Sequence, residues 1–258
     1  MKHLFIRLLF AFAASALAAA TLHAASSARD ARKKIVMLIA EHEYETATSL
    51  PPFAAQHLKD FRVAVVTGSL APGEVAMDPI KEVADADVLL VSVRRRTLPK
   101  AQLDLIRKHV AAGKSVVGIR TASHAFALSK NQKLAPGNSE WPEFDAEVLG
   151  GNYVGHHGKD TITHVTLSPV ADNKHPILRG VKLPFKSDAT LYKTNPLRPG
   201  ATPLLTGTIP GVPPEPLAWA FKRKDGGKSF YISLGGPSDF KNPEFVKVLR
   251  NALTWAAQ

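Results

Sequence analysis

The chain has 258 residues, 45% of them hydrophobic, and a formal net charge of +11 from 33 Lys and Arg against 22 Asp and Glu. This length and hydrophobic content are enough for one sizeable packed core. The absence of cysteine excludes disulfides, thiolate metal sites and cysteine catalysis. The basic charge permits binding to polyanions or acidic sugars, but no long basic run occurs, so we expect no nucleic-acid partner.

The N-terminus has the pattern of an export signal. Residues 1–7 carry two basic side chains, residues 8–22 are apolar and Ala-rich, and residues 22–24 offer a small-residue cleavage site. The apolar run is shorter than the ~20 residues of a membrane-spanning helix, so no stable membrane insertion is expected after cleavage. We predict a signal peptide over 1–24, a flexible leader over 25–33, a single domain over 34–258, and a periplasmic or secreted location.

Apolar runs alternate with helical patterns through the first half of the chain. Strands are predicted over 34–40, 61–66, 87–93 and 115–119, and helices over 51–58, 79–84 and 99–112. Parallel strands connected by helices form a sheet that is covered on both faces. The pattern therefore predicts an α/β fold with a doubly wound, mostly parallel sheet.

The pattern changes near residue 140. We predict a helix over 142–149, a polar loop over 152–160, a strand over 161–167, a Pro- and Gly-rich stretch over 169–211, strands over 217–221 and 229–234, and an amphipathic helix over 245–255. The C-terminal half is therefore expected to be irregular and strand-containing. Trp219 and Trp255 are interpreted as core residues.

Polar side chains follow three of the predicted strands. They are Glu43 and Tyr44 after the first, Arg95 and Arg96 after the third, and Arg120, Ser123 and His124 after the fourth. Because the carboxyl ends of parallel strands face one crevice, we expect these side chains to meet there. Arginines donate paired hydrogen bonds to oxygens, and a histidine can move protons near neutral pH, so the set suits an oxygen-rich anion or a sugar. An ordinary turn with Ser123 as a helix cap and Arg120 on the surface is the alternative.

A second cluster lies in the polar loop. Tyr153 precedes the adjacent histidines His156 and His157, which glycines flank, so both rings can converge on the crevice. His124 with His156 or His157 and a carboxylate has the donors to hold zinc or another divalent ion, and loop histidines held by hydrogen bonds are the alternative. Asp188 is a secondary binding candidate. No Gly-rich phosphate loop follows the first strand, so no nucleotide is expected.

Four segments together resemble a known family. They are residues 118–126, 151–157, 175–177 and 251–255, and in this order they resemble the ThuA-like (trehalose utilisation) domain of exported bacterial proteins over roughly residues 34–256. The resemblance implies a flavodoxin-like α/β fold related to class I glutamine amidotransferases. In those enzymes a nucleophilic cysteine follows this strand, and Arg120 stands in its place here. A guanidinium cannot attack a carbonyl, so the resemblance implies no glutamine amidotransfer.

The resemblance also implies a role in sugar metabolism, with disaccharides and their keto-sugar derivatives as the substrate class. The first hypothesis is a hydrolase, lyase or isomerase of a sugar, with His124, His156 and His157 as acid/base or metal-binding residues. In it, Glu43, Tyr44, Arg95, Arg96, Arg120, Ser123, Tyr153 and Asp188 bind the substrate. The alternatives are a non-catalytic carbohydrate-binding or sensing domain and a basic module for anionic polysaccharide.

Overall fold

A computed structural model of the chain describes residues 30–68, 76–158 and 161–258. The predicted signal peptide, and residues 25–29 of the predicted leader, lie outside these ranges. Strands in the described residues are β1 (Lys34–Ala40), β2 (Arg62–Gly68), β3 (Met77–Asp78), β4 (Val88–Val93), β5 (Leu98–Pro99), β6 (Ser115–Ile119), β7 (Asn138–Ser139), β8 (Gly155–His156), β9 (Thr163–Leu167), β10 (Phe185–Ser187), β11 (Tyr192–Lys193), β12 (Ala201–Thr208), β13 (Glu215–Lys222) and β14 (Lys228–Ile232).

Five parallel strands form the centre of the main sheet, in the order β14-β6-β4-β1-β2. All seven residues of β1 are buried, as expected of a strand between two parallel neighbours with both faces covered. Antiparallel strands extend the sheet on both sides, β3 beside β2 and the series β13-β12-β9-β10 beside β14. The predicted parallel centre is confirmed, and the irregular C-terminal half supplies the antiparallel extension.

In the part of the chain that the structure describes, three α-helices cover the two faces: α1 (Thr46–His57), α2 (Lys100–Ala111) and α3 (Pro243–Ala256). Leu50 of α1 and Leu249 of α3 belong to the hydrophobic core on one face, and Ile106 of α2 belongs to the core on the other. The doubly wound prediction is therefore confirmed. None of the helices in the described residues is both long enough and apolar enough to cross a membrane.

Helix α1 begins five residues before its predicted start. The buried carboxylate of Glu41, at the end of β1, accepts hydrogen bonds from the backbone N–H of Tyr44 at 2.7 Å and of Thr46 at 2.8 Å. It thereby binds the first turn of the helix from outside, as a capping side chain does. Pro51 and Pro52, which indicated a helix start in the sequence, lie inside the helix instead.

Short irregular turns complete the fold: 3-10 turns over Ile80–Asp85, Arg120–His124, Pro176–Leu178 and Asp239–Lys241, and a π-helical turn over Asp145–Leu149. The last of these lies within the helix predicted over 142–149. Trp219 is buried, as predicted, and its Nε1 donates to the Leu149 carbonyl at 2.7 Å. Trp255 is only partly buried and packs against the edge of a core.

Candidate functional site

The turns after β1, β4 and β6 are bound to one another by backbone hydrogen bonds. The N–H of Arg94 donates to the carbonyl of Ala40, at the end of β1, at 3.1 Å. The N–H groups of Arg95 and Arg96 donate to the carbonyls of His124 at 3.0 Å and Ala125 at 2.7 Å. The central turn is therefore fixed to both neighbours, which gives the crevice at the carboxyl ends of the strands a rigid floor.

Each of these turns also carries a residue with a left-handed backbone. The φ angles are 52° at Glu45, 49° at Arg95 and 45° at Arg120, and none of the three is a glycine. Residues in this region cost roughly 1–3 kcal/mol and persist where the surrounding structure holds them, often at functional sites. Three such residues at adjacent strand ends mark this edge of the sheet as the site to examine.

Arg120 is buried and enclosed, so the surface alternative for it is wrong. It is 1% exposed; its Nη1 donates to the carbonyls of Thr190 at 2.9 Å and Ser233 at 2.6 Å, and its Nη2 donates to Thr190 Oγ1 at 2.6 Å. Its guanidinium carbon lies 4.6 Å from the ring centroid of Tyr44 and 4.2 Å from that of Tyr192. Two aromatic faces and neutral oxygens stabilise the cation.

Aromatic rings continue from Arg120 towards His124. The Tyr192 and Tyr153 centroids are 4.6 Å apart, and the Tyr153 ring stacks on the His124 ring at 4.7 Å with 23° between their planes. We call Tyr44, Tyr192, Tyr153 and His124, together with the enclosed Arg120, the aromatic wall. Flat rings with polar edges suit the faces of a sugar, and the wall separates two pockets.

The first pocket is a cavity of about 380 Å³ on the His124 side of the wall. Its lining includes four predicted residues, Arg95, Ser123, His124 and Tyr153, and two residues that the sequence interpretation missed, Asp145 and Arg198. Ser123 Oγ lies 3.1 Å from His124 Nδ1. When the serine hydroxyl donates to Nδ1, the hydrogen of the neutral imidazole is on Nε2, which can donate it to a ligand oxygen.

The environment of His124 keeps its imidazole neutral. Burial, and next to it the positive charges of Arg95, Arg94 and Arg120, together lower the pKa of this side chain to about 3. The sequence analysis expected a histidine that changes charge near pH 7. A neutral imidazole at pH 7 is instead a hydrogen-bond donor and a weak base.

Asp145 has the opposite shift. Burial raises the pKa of its carboxyl to about 6, although the N–H of Tyr153 and the charge of Arg198 favour the ionised form. Its Oδ2 accepts from the Tyr153 N–H at 2.8 Å, and its Oδ1 is buried without a hydrogen-bond partner. This carboxyl therefore exchanges a proton close to physiological pH.

The second pocket, about 740 Å³, lies on the Tyr44 side of the wall. Its lining includes the predicted residues Glu43, Tyr44, Arg120, His156 and Asp188, together with Ser238 and Lys241. Its two carboxylates already have partners, since Glu43 Oε2 contacts Arg94 Nε at 2.6 Å and the Ser238 hydroxyl donates to Asp188 Oδ1. The pocket combines cations with hydroxyl groups, a composition that suits polyhydroxylated ligands.

Comparisons with known proteins fit this architecture. The sequence profile of a family described as "ThuA: Trehalose utilisation" matches residues 18–256. The chain belongs to the ThuA family. Crystal structures of ThuA-like proteins from Bacteroides uniformis (17% identity, TM-score 0.63, 89% of this chain and 93% of that one) and Parabacteroides merdae (16%, 0.58, 88% and 90%) share its fold. No curated protein sequence matches the chain.

In this ThuA-family chain the two adjacent histidines do not converge. His156 belongs to β8, is exposed and lines the second pocket. His157 lies outside the linings of both pockets, and its Nε2 contacts the buried Glu215 Oε1 at 2.9 Å. Glu215 Oε2 in turn accepts from the N–H groups of Thr194 and Asn195. His157 thus contacts the carboxylate that binds the chain after β11, and its predicted catalytic role stays a prediction.

Arg96 also lies outside both pocket linings; its Nε is buried without a partner, and burial lowers the pKa of its guanidinium.

The predicted metal ligands are separated, since His124 lines the first pocket, His156 lines the second, and His157 contacts Glu215. Within residues 30–68, 76–158 and 161–258, no group of three or more His, Asp or Glu is placed to hold a metal ion. The described residues therefore do not supply the three-ligand set expected for zinc.

Proposed function

We propose that this ThuA-family chain is an exported protein that acts on a carbohydrate, and in particular on an oxidised (keto-)sugar. The ligand lies against the aromatic wall, with its reacting end in the first pocket and the remainder in the second. Glutamine amidotransfer is no part of the proposal, because Arg120 stands at the cysteine-equivalent position and the chain has no cysteine.

The observation that carries the proposal is the meeting of stacked aromatic faces with arginines at one crevice. Tyr153 stacks on His124 and lines the first pocket, Tyr44 lines the second pocket, and Arg95 and Arg198 line the first pocket with fixed cations. Aromatic rings pack against the apolar faces of sugars, while guanidinium groups donate to their oxygens. The same cations favour a ligand with a carboxylate or with developing negative charge on an oxygen.

The test combines binding with product detection. Keto-disaccharides, made by oxidising one secondary hydroxyl of trehalose, maltose or sucrose, are titrated by calorimetry and incubated with the protein while NMR follows products. We expect binding and turnover, and a loss of turnover on the order of 10²-fold or more in His124→Ala. The matched control is His164→Ala, because His164 is an exposed histidine on β9, outside both pocket linings.

Other results would replace the proposal with one of its alternatives. Sugar binding without any product would indicate a non-catalytic carbohydrate-binding domain in the same crevice. Binding only to anionic polysaccharide, with affinity that falls steeply with salt and is unchanged in His124→Ala, would indicate a basic binding module.

Export is tested separately. The full-length gene is expressed in a bacterial host, and the periplasmic protein is analysed by mass spectrometry. We expect a chain that begins at Ala25, and recovery of the uncleaved chain from the cytoplasm would contradict this part of the proposal.

A further inference from the structure

Asp145 has a position that packing alone does not explain. The residue is 8% exposed and lines the first pocket, and its Oδ1 is buried without a hydrogen-bond partner. It lies so close to Gly151 that a Cβ at that glycine would be 2.2 Å from Oδ1. The residue begins the π-helical turn Asp145–Leu149, a conformation that is rare and often found at functional sites.

Burying such a group is costly. A carboxylate taken from water without full hydrogen bonding destabilises the folded protein, whereas an apolar or amide side chain at the same place would not carry a charge. Among the described residues that line the first pocket, Asp145 is the one carboxylic acid. The pocket therefore contains one group able to accept a proton as an anion.

We propose that Asp145 is the proton-accepting catalytic residue of the first pocket and that His124 donates a hydrogen bond to the substrate's carbonyl oxygen, so that the pocket removes a proton from the carbon beside that carbonyl. This inference rests on the proposed function and specifies its reaction. The substrate class is a sugar with a ketone or aldehyde group and a C–H bond next to it.

The charges around His124 and Asp145 give these two residues different roles. Three arginines near His124 disfavour an imidazolium, so its neutral ring donates a hydrogen bond rather than taking up a proton. Asp145 accepts from the Tyr153 N–H and feels the positive charge of Arg198, and burial keeps its basicity well above that of an exposed carboxylate. Oδ2 accepts one hydrogen bond, from Tyr153, and a carboxylate oxygen has a second lone pair that can take the ligand's proton.

The step balances without a co-reactant. The C–H bond breaks, its proton moves to the Asp145 carboxylate, and its electron pair forms a C=C bond as the carbonyl π electrons move to oxygen. The resulting enolate oxygen accepts the hydrogen bond from His124, and the positive charges of Arg95 and Arg198 stabilise it. Return of the proton from Asp145, or from solvent after exchange, restores the carbonyl compound.

Exchange with heavy water tests this step directly. The keto-disaccharide that calorimetry shows to bind is incubated in D₂O with the wild-type chain, and proton NMR follows loss of the signals from carbons beside the carbonyl. We compare Asp145→Asn with Glu143→Gln, since Glu143 is an exposed carboxyl two residues away and outside the first pocket lining. Exchange should fall on the order of 10²–10⁴-fold in Asp145→Asn and stay unchanged in Glu143→Gln.

A pH series separates catalysis from a purely structural role. The charged and titratable groups that act on Asp145 or are acted on by it are Arg198 and Tyr231, and Arg198 keeps its charge throughout the range used. The wild-type exchange rate should rise with pH through about 6 and then level off, and Asp145→Asn should lose that rise while still binding the sugar.

Each result has a definite meaning. Sugar binding without exchange in the wild type, or wild-type exchange rates in Asp145→Asn, would overturn the inference and leave the proposed function standing. Absence of binding to every keto-disaccharide would contradict the proposed function itself and the inference with it.

Discussion

The two pockets beside the aromatic wall differ in the ionisable groups that they contain. In the second pocket Glu43 pairs with Arg94, Asp188 accepts from Ser238, and the buried cation Arg120 donates to Thr190 and Ser233. In the first pocket His124 and Asp145 are buried, and their pKa values are shifted to about 3 and about 6. Buried groups with strongly shifted pKa values are typical of catalytic sites, so we assign chemistry to the first pocket and binding to the second.

The largest effect on stability is expected at Arg120, whose guanidinium lies between rings of the aromatic wall that separates the two pockets. In Arg120→Ala the carbonyls of Thr190 and Ser233 lose their donor, and the rings of Tyr44 and Tyr192 lose the cation between them. We expect a loss in free energy of unfolding of about 3–5 kcal/mol, from unsatisfied carbonyls and the cavity left behind. Urea unfolding measures it.

The matched control for that variant is Arg107→Ala. Arg107 also lies over an aromatic ring, with its guanidinium carbon 5.5 Å from the Trp141 centroid, but it is partly exposed on α2. Its removal should cost no more than about 1 kcal/mol. Equal losses in the two variants would show that Arg120 is an ordinary ring contact and would remove its role as the support of the wall.

The next largest effect is a gain in stability at Asp145. Its folded-state pKa of about 6 is above its ordinary value of 3.8, so its contribution to stability is full at acid pH and is lost as pH rises through 6. Asp145→Asn removes this loss, and the variant should be more stable than wild type by about 1–3 kcal/mol at pH 7.5, with the gain vanishing near pH 4. Unfolding of both proteins at the two pH values measures the difference.

Comparing the variant with wild type at each pH isolates Asp145 from other groups. His109 and His124, with pKa values lowered to about 4 and 3, destabilise both proteins equally as pH falls below 6.5. A variant whose stability relative to wild type does not rise between pH 4 and pH 7.5 would mean that the charge of Asp145 is not destabilising, and the contrast between the pockets would then fail.

The sequence predicts the part of the site formed by the turns after β1, β4 and β6, because their apolar runs indicate buried parallel strands. β1, β4 and β6 are continuous apolar segments, and parallel pairing brings the turns after them to one edge. This placement depends on strand pairing and not on the individual side chains. The sequence therefore predicts that one edge of the sheet carries Tyr44, Arg95, Arg120, Ser123 and His124.

The hydrophobic periodicity of the sequence does not predict the positions of three other residues of the site, Asp145, Tyr192 and Arg198. Asp145 was part of a predicted helix, and its burial depends on Gly151, whose missing side chain leaves room for the carboxyl. The pair Gly150-Gly151 directly after that helix was the available signal, since two glycines permit a close backbone approach. Tyr192 and Arg198 reach the site from the Pro- and Gly-rich stretch, through long-range contacts that no local pattern encodes.

The last pair of variants concerns His156 and His157, to which the sequence analysis assigns the same role. His157→Ala leaves Glu215 Oε1 buried without its partner, which should lower the free energy of unfolding by about 1–3 kcal/mol. His156 is exposed, and its Nδ1 lies 2.8 Å from the carbonyl oxygen of the neighbouring His157, so His156→Ala should change the free energy of unfolding by less than about 0.5 kcal/mol. Urea unfolding of both variants measures these values.

Ligand binding should show the reverse order. His156 lines the second pocket, so His156→Ala should weaken keto-disaccharide binding several-fold in calorimetry, by the roughly 1 kcal/mol of one hydrogen bond. His157→Ala, measured at a temperature where it remains folded, should bind within about twofold of wild type. If His157→Ala weakens binding more than His156→Ala does, the chain around β11 must contribute to the ligand site, and the second pocket extends further than its present lining.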